Sequence, residues 1–252
     1  MPFVTVTGHR IEVETIEGQR AGAAPIVLLH EGLGSVAMWR DFPAKLAAAT
    51  GSTVVVYSRY GYGKSSPIAA PHTVDYMHRE ALEALPALRD ALGLAAPIVM
   101  GHSDGASIAL IHAGAGRWPV KAVIVEAPHV FVEDISVTSI AEAKIAFEQG
   151  DLRARLARHH EDVDGAFRGW NDVWLSPAFR GWSIEDYLPG ITCPLLAIQG
   201  ADDEYGTMAQ IETIERRVGG PVEKLILPGG HSPHRAQERA TLAAIVRFTA
   251  AL

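Results

Sequence analysis

Short apolar runs rich in Val, Ile and Leu recur along this chain and constrain its fold more than any other feature. They alternate with longer stretches of helical periodicity, such as Val74 to Leu92 and Met208 to Val218. Continuous apolar runs are typical of strands buried on both faces of a parallel sheet, and strand–helix alternation favours a doubly wound α/β fold. The runs are Pro25 to Leu29, Thr53 to Tyr57, Pro97 to Met100, Lys121 to Val125, Leu195 to Gln199 and Glu223 to Leu227.

The first residues have a different pattern, in which apolar and polar side chains alternate. Phe3 to Thr7 and Arg10 to Thr15 predict a hairpin that turns at Gly8. Together with the six apolar runs, these two strands predict a mostly parallel, eight-stranded sheet.

The interval between Pro128 and Pro194 interrupts the alternation, because it contains no clear buried strand. It shows helical patterns instead, for example Ile140 to Phe147 and Leu152 to His159. We interpret residues 128–190 as a helical cap inserted after strand 6. The sheet domain is then formed by residues 1–127 and 191–252.

An aromatic cluster lies in this predicted cap, and part of it has helical spacing. Phe167, Trp170 and Trp174 fall at i, i+3 and i+7, which places them on one helical face. They form the core of the cap, or some of the rings line an apolar pocket; Trp170 and Trp174 are the candidates for substrate binding. The remaining members of the cluster are Phe179, Trp182 and Tyr187.

Charge and composition exclude several classes of protein. The 252-residue chain has a net charge of −7 and no basic block, which argues against a nucleic-acid partner. No apolar run approaches the roughly 20 residues that a membrane span needs, and the first residues lack the pattern of a signal peptide. The single cysteine, Cys193, fits a reducing compartment. We therefore predict a cytoplasmic protein with no membrane partner.

The segment Gly101-His102-Ser103-Asp104-Gly105 predicts a catalytic serine. A strand precedes it and a helical stretch follows it, which is the context of a nucleophile elbow. A sharp turn that pushes a serine hydroxyl out at the top of a sheet leaves no room for side chains two residues to either side, so both positions are glycine. The competing interpretation is an ordinary strand-to-helix turn whose serine caps the helix.

A serine nucleophile needs a base and an acid, and both residue types follow late strands. Asp202 and Asp203 come after the run that ends at Gln199, and His231 and His234 come after the run that ends at Leu227. His234 lies where the last helix is expected to begin, so a helix-start role is predicted for it.

In this order the motifs resemble the serine hydrolases of the α/β-hydrolase fold, and the resemblance covers nearly the whole chain. It implies Ser103 as nucleophile, His231 as base and Asp203 as acid, with Asp202 as the alternative acid. The matching segments are His30 to Ser35, Arg59 to Ser65, Gly101 to Gly105, Gly200 to Asp203 and Gly229 to His231.

The resemblance also implies an oxyanion hole made of the backbone N–H groups of Asp104 and Gly32. The sequence departs from the family here, because many relatives have His-Gly where this chain has His30-Glu31. That change puts the second donor in doubt and brings a carboxylate towards the site.

Ser103-Asp104-Gly105 is similar to the elbow of the valacyclovir hydrolase group, in which the aspartate recognises a substrate amino group. The resemblance implies the same role for Asp104; the alternative is an acidic residue that stabilises the start of the next helix. If the carboxylates of Glu31 and Asp104 both flank the oxyanion hole, Coulomb repulsion disfavours anionic acyl groups.

Two further segments resemble binding motifs only superficially. Gly63-Lys64-Ser65 lacks the earlier glycine of a phosphate loop, because position 58 is serine. Adjacent histidines point about 100° apart on a helix, so His159 and His160 predict a polar helix end and no metal site.

These observations predict a hydrolase that needs no cofactor and no metal. Its substrate is a small carboxylic ester, thioester or activated amide, cleaved through an acyl-enzyme, with ester hydrolysis as the leading class. A hydrolase of carbon–carbon bonds in ring-fission products and a non-catalytic small-molecule receptor remain alternatives, as do monomer and homo-oligomer.

Overall fold

The computed structural model describes residues 3–252. Eight strands form one sheet in the order β1-β2-β4-β3-β5-β6-β7-β8. The strands are β1 (Phe3–Val6), β2 (His9–Ile16), β3 (Ile26–Leu29), β4 (Val54–Tyr57), β5 (Ile98–His102), β6 (Ala122–Glu126), β7 (Leu195–Gly200) and β8 (Val222–Leu227). β1, β2 and β4 pair antiparallel, and all other pairs are parallel. The prediction of an eight-stranded, mostly parallel α/β sheet is confirmed.

The helices lie between these strands. They are α1 (Phe42–Thr50), α2 (Tyr76–Arg79), α3 (Leu85–Ala91), α4 (Asp104–Gly114), α5 (Asp134–Gln149), α6 (Leu152–Leu156), α7 (Val163–Trp174), α8 (Met208–Arg217), α9 (Pro233–Ala236) and α10 (Glu238–Ala250). A π-helical turn, Glu80–Ala84, joins α2 to α3, so the stretch predicted as one helix contains a local widening. Short 3₁₀ turns cover Val36–Trp39, Pro177–Gly181 and Glu185–Gly190.

Alternate residues of the central strands enter two apolar cores on opposite faces of the sheet. In β3, Val27 and Leu29 join the core that contains α4, whereas Ile26 and Leu28 join the core that contains α1 and α10. Successive side chains of a strand point to opposite faces, so a continuously apolar strand fills both cores. This burial accounts for the apolar runs in the sequence.

The last strand differs from this expectation. Glu223 and Lys224 of β8 are exposed, because among residues 3–252 β8 pairs with β7 alone and forms the edge of the sheet. The prediction that this run is buried on both faces is wrong for β8, and its charged residues are typical of a protected edge.

The segment between β6 and β7 is helical, and it contains α5, α6, α7 and two 3₁₀ turns. One isolated bridge, between Phe131 and Ser183, ties its two ends together. The division of the chain into a cap at 128–190 and a sheet domain stays a prediction. Within residues 3–252, none of the helices combines the length and apolar character that crossing a bilayer requires.

Candidate active site

Ser103 occupies a strained turn between β5 and α4. Its φ of 54° and ψ of −119° lie in a region that side chains rarely adopt. A Cβ atom on Gly101 would lie 2.1 Å from the carbonyl oxygen of Gly105, and one on Gly105 would lie 2.1 Å from the carbonyl oxygen of Leu29. The glycines at both positions are therefore sterically required, as the sequence predicted.

The structure brings Ser103, His231 and Asp203 together in a line. The Oγ of Ser103 lies 2.9 Å from Nε2 of His231. The other ring nitrogen of His231, Nδ1, lies 2.9 and 3.0 Å from the two carboxylate oxygens of Asp203. A carboxylate only accepts hydrogen bonds, so Nδ1 carries the proton and Nε2 presents a lone pair to the serine hydroxyl.

The carboxylate of Asp203 is held by two further donors. Nε2 of Gln199 donates to Oδ2 at 2.7 Å, and the backbone N–H of Tyr205 donates to Oδ1 at 2.8 Å. Burial raises the pKa of this carboxyl, but the hydrogen bonds and charge of His231, with the N–H of Tyr205, outweigh that effect and hold the pKa below its ordinary value. Asp203 is therefore ionised at neutral pH.

Asp202 is placed differently from its neighbour. Its side chain is exposed, and its contact is a long one, 3.4 Å from the N–H of Gly229. The geometry therefore favours Asp203 over Asp202 as the residue that faces His231.

Aromatic rings surround the imidazole of His231. Ring centroids of Tyr205, His102 and His129 lie 4.6, 5.2 and 5.8 Å from it. Burial lowers the pKa of His129 to about 3, so His129 is neutral at neutral pH. Trp174 packs edge-on against His129, with centroids 5.1 Å apart.

The two predicted oxyanion donors lie on the loop after β3 and at the first residue of α4. The N–H of Asp104 is one of the first in its helix and has no intrahelical acceptor. A Cβ on Gly32 would lie 2.2 Å from Nε1 of Trp170, so the indole rests directly against this glycine. Trp170 therefore bounds the space next to the Gly32 backbone.

Both acidic residues near the serine lie beside arginines. Arg235 approaches Glu31 with its Nη2 3.5 Å from Oε1, and Nη2 of Arg59 lies 3.7 Å from Oδ2 of Asp104. Each negative charge is thus opposed by a positive one. The expected repulsion of anionic acyl groups by Glu31 and Asp104 is not supported, because it assumed two uncompensated carboxylates.

The side chain of Asp104 lies in the first turn of α4, but its hydrogen bond leaves the helix. Oδ2 accepts a bond of 2.6 Å from the hydroxyl of Tyr76, and that hydroxyl accepts one of 3.0 Å from Nε1 of Trp174. Burial raises the pKa of Asp104, against the opposing charge of Arg59. Among the described residues, Oδ1 has no partner. Asp104 thus links the elbow to α2 and α7.

The aromatic stripe of α7 divides between two environments. Phe167 stacks on Phe147 of α5 with centroids 3.8 Å apart, inside the helical segment. Trp170 faces Gly32, and Trp174 reaches Tyr76 and His129. The core interpretation therefore describes Phe167, and the two tryptophans lie next to the candidate site.

Two cavities adjoin this region, and the segment from Ala69 to Thr73 lines both. One, of about 460 Å³, extends to Arg59, Tyr76 and Glu80. The other, of about 650 Å³, lies against α7 at Gly169 and Val173. Arg59 and Tyr76 both contact Asp104, so the smaller cavity begins one side chain away from the elbow.

The comparison with known proteins assigns the family. A model described as the alpha/beta hydrolase family matches residues 26–245. The chain belongs to the alpha/beta hydrolase family. This hydrolase is 36% identical over 97 residues to a proline iminopeptidase of Lactobacillus crispatus (strain ST1). That match covers 38% of this chain and 33% of the relative, so it spans about a third of the relative's length.

Solved structures confirm the fold of this hydrolase over nearly its whole length. The proline iminopeptidase of Mycobacterium smegmatis superposes with a TM-score of 0.76 at 22% identity, covering 98% of this chain and 97% of that one. The enol-lactonase of Burkholderia xenovorans LB400 gives 0.74 at 21% identity, covering 98% and 99%. At these identities the likeness shows the fold alone.

Several residues around the hydrolase site were not identified from sequence. Gln199 ends a predicted strand and holds Asp203, and Tyr76 lies in a predicted helix and holds Asp104. A polar residue closing an apolar strand was the available signal for Gln199; nothing in the local pattern marked Tyr76.

His160 also differs from the prediction of a polar helix end. It is buried, its Nδ1 accepts from the N–H of Gly63 at 3.0 Å, and its Nε2 lies 2.9 Å from the carbonyl of Leu33. The segment after α6 therefore packs on the loops after β3 and β4, and the imidazole satisfies their buried polar groups.

Proposed function

We propose that this chain is a serine hydrolase that cleaves a small carboxylic ester, thioester or activated amide through an acyl-enzyme on Ser103. The observation that carries the proposal is the continuous chain of hydrogen-bonding atoms from Ser103 Oγ through His231 to Asp203. The bare lone pair on Nε2 faces the hydroxyl that must lose its proton.

Acylation begins when Oγ of Ser103 attacks the substrate carbonyl carbon and its proton passes to Nε2 of His231. The carbonyl π bond becomes an oxyanion, and the imidazole becomes an imidazolium. The ionised carboxylate of Asp203 stabilises that cation, keeps the proton on Nδ1 and holds the ring in the orientation that presents Nε2 to the serine. When the tetrahedral intermediate collapses, Nε2 returns the proton to the leaving group.

Stabilisation of the oxyanion is assigned to the N–H groups of Asp104 and Gly32. The Asp104 donor stands at the start of α4, where the helix dipole adds a partial positive charge. One such donor typically contributes about 3 to 4 kcal/mol to the transition state. Trp170, packed on Gly32, excludes water from that side and strengthens the interaction.

Deacylation repeats the same proton transfers with water in place of the serine. His231 removes a proton from water, the oxygen attacks the acyl carbon, and the bond to Oγ breaks as the proton returns to Ser103. The acid product leaves and the free serine is regenerated. Every proton that moves is carried by His231, so no cofactor enters the cycle.

The walls of the proposed binding site are formed by Trp170, Trp174, Glu31 and Asp104. The unpartnered Oδ1 of Asp104 supports an additional contact to a donor on the substrate, such as the amino group suggested by the valacyclovir hydrolase resemblance. The match to a proline iminopeptidase supports comparing amides with esters first. A panel of acyl p-nitrophenyl esters, acyl thioesters and aminoacyl p-nitroanilides ranks these alternatives.

A fluorophosphonate probe tests the proposed nucleophile. We expect one probe per chain, attached to the peptide that contains Ser103, and no labelling of Ser103→Ala. Ser107→Ala is the matched control, because Ser107 is a buried serine in α4, the helix that follows Ser103, and its hydroxyl donates to the carbonyl of His129. Failure of the native protein to label, or equal labelling of Ser103→Ala, would contradict the proposal and favour a receptor.

A further inference from the structure

Two polar residues end the neighbouring strands β5 and β6 behind the nucleophile. His102 and Glu126 are direct partners in the parallel register of the sheet. Both are buried, with 1% and 0% of their surface exposed. Neither belongs to the proton path of the proposed reaction. Burying the carboxylate of Glu126 costs free energy unless it is paired, so its partners indicate what it does.

His102 contacts the backbone of His231. Its Nε2 lies 2.7 Å from the carbonyl oxygen of that residue, and because a carbonyl only accepts, Nε2 carries the proton. The next residue, Ser103, contacts the other end of His231 through Oγ and the ring Nε2. Two consecutive residues of the elbow therefore hold the backbone and the ring of the same histidine.

Glu126 makes a similar pair of contacts. Its carbonyl oxygen accepts the N–H of Ser103 at 2.9 Å. Its carboxylate Oε1 accepts from both the backbone N–H and the ring Nδ1 of His234, at 2.6 and 2.8 Å. Burial raises the pKa of Glu126, and His234 with its N–H outweighs that effect and holds the pKa below the ordinary value, so the acceptor is ionised.

These contacts fasten the loop that carries the base at two points. His234 is in the short helix α9 and not at the start of the last helix, which begins at Glu238, and Glu126 fixes α9 three residues after His231. His102 fixes the loop at His231 itself. Both anchors are attached to the backbone immediately around Ser103.

We propose that His102, Glu126 and His234 form a positioning network that sets the distance between the imidazole of the base and the hydroxyl of the nucleophile. This inference rests on the proposed function. A misplacement of about 1 Å between reacting groups can cost about 100-fold in rate, so such anchors act on turnover without touching substrate.

The same three residues are types that bind metals, and one possible ligand atom from each lies within 4.8 Å of the others. The direct hydrogen bonds give a different explanation of the cluster. Protons occupy Nε2 of His102 and Nδ1 of His234, and each points at a protein acceptor. A metal-stabilised site is therefore the competing account that the experiment must separate.

The test compares His102→Leu with His102→Gln. A glutamine amide nitrogen can reach the position of Nε2 and donate to the His231 carbonyl, whereas leucine cannot. We expect His102→Leu to lower kcat for a p-nitrophenyl ester by about 10- to 100-fold at nearly constant KM, and His102→Gln to restore most of it. The rate of fluorophosphonate labelling should fall and recover in parallel.

His112→Leu is the matched control for loss of stability. His112 is also a buried histidine with two hydrogen-bonding contacts, to Arg89 and to the carbonyl of Ala81. Neither contact reaches Ser103, His231 or Asp203. We expect His112→Leu to lower the melting temperature while kcat stays near the native value. A fall in kcat equal to that of His102→Leu would mean that general destabilisation explains both.

A second comparison isolates the path through the base. In a His231→Ala background, His102→Leu should change the residual rate by less than twofold, since there is no ring left to position. Undiminished effects of His102→Leu in that background would overturn the inference, as would native turnover by His102→Leu alone. Loss of activity with a chelator and its recovery with Zn²⁺ would also overturn it, in favour of a metal site.

These outcomes are distinguishable from failure of the proposed function. If native protein does not label at Ser103, the proposed function itself fails. If native protein labels and His102→Leu labels at the same rate, only the positioning network fails.

Discussion

The loops at the carboxyl ends of the strands and the helical segment between β6 and β7 present their functional side chains in different ways. Ser103, Asp203 and His231 each follow a strand, and the parallel sheet brings the ends of β5, β7 and β8 to one edge. In the helical segment, α7 sends Phe167 into the segment's own core and two tryptophans towards the site. Backbone register places the first set of residues, and side-chain packing places the second.

From this difference we assign the reaction to the residues at the strand ends and substrate selectivity to the helical segment. The ends of β5 and β7 are fixed by two neighbouring strands and the end of β8 by one, so the distances between Ser103, His231 and Asp203 tolerate little variation. A helix that packs through indole rings can shift or change residues without disturbing the sheet. We therefore expect substitutions at the strand ends to abolish turnover, and substitutions in α7 to alter which substrate is preferred.

The largest effect is expected from Asp203→Asn, compared with Asp202→Asn. An amide at position 203 can donate to Nδ1 and stabilise the tautomer that cannot accept the serine proton, so kcat should fall by about 10⁴-fold. Asp202 is exposed and does not contact His231, so its variant should stay within about threefold of native kcat. Steady-state kinetics with one p-nitrophenyl ester measures both, and equal losses would refute the assignment of the acid.

A large effect on stability is expected from Gly105→Ala, compared with Gly181→Ala. The new methyl group at position 105 would collide with the backbone of Leu29, which cannot rotate away, so unfolding free energy should drop by about 3 kcal/mol or more. At Gly181, in the helical segment, a Cβ meets nothing within 4 Å. Urea denaturation compares the two, and a stable Gly105→Ala would show that the elbow is less constrained than the structure indicates.

A moderate change in selectivity is expected from Trp170→Ala. Removing the indole opens space beside Gly32, so the ratio of kcat/KM for a hexanoyl ester over an acetyl ester should rise by about tenfold. Phe167→Leu lies on the same helix but inside the segment's core, and it should lower the melting temperature without changing that ratio. An unchanged ratio in Trp170→Ala would remove this side chain from the substrate site.

At neutral pH the smallest effect is expected from His129, where the end of β6 meets the helical segment. It has a pKa of about 3 in the folded chain, so between about pH 6.5 and 3 the unfolded chain binds a proton that the folded chain does not. The free energy of unfolding must therefore decrease as the pH is lowered through that window, by up to about 1.4 kcal/mol per pH unit from this group. His129→Gln should reduce the slope of unfolding free energy against pH, as measured by urea denaturation at several pH values; an equal slope in the native protein and the variant would contradict the buried neutral ring.

Sequence patterns predicted the sheet and the sharp turn at Ser103 because both depend on local signals. Apolar runs marked the strands to within two residues, and the glycines around Ser103 reported a steric requirement that the structure shows directly. A preference between adjacent Asp202 and Asp203 could come only from family resemblance, because loop geometry decides which carboxylate turns towards the imidazole.

Other features depend on contacts between distant segments and could not be predicted. The charges of Glu31 and Asp104 are opposed by Arg235 and Arg59, which lie far from them in sequence. Phe167 differs in environment from Trp170 and Trp174 because of how α7 packs against the loop after β3. His160 was predicted to lie at a polar helix end, because nothing near it in sequence revealed the two loops that it joins.

The most direct measurement of the central claim is the mass of the protein during turnover. We predict that rapid acid quenching during hydrolysis of a p-nitrophenyl ester yields a burst of one p-nitrophenol per chain and a covalent acyl group on the peptide that contains Ser103. His231→Gln should show neither the burst nor the adduct on the same timescale. Turnover with no acyl adduct, or an adduct on any residue other than Ser103, would contradict the account.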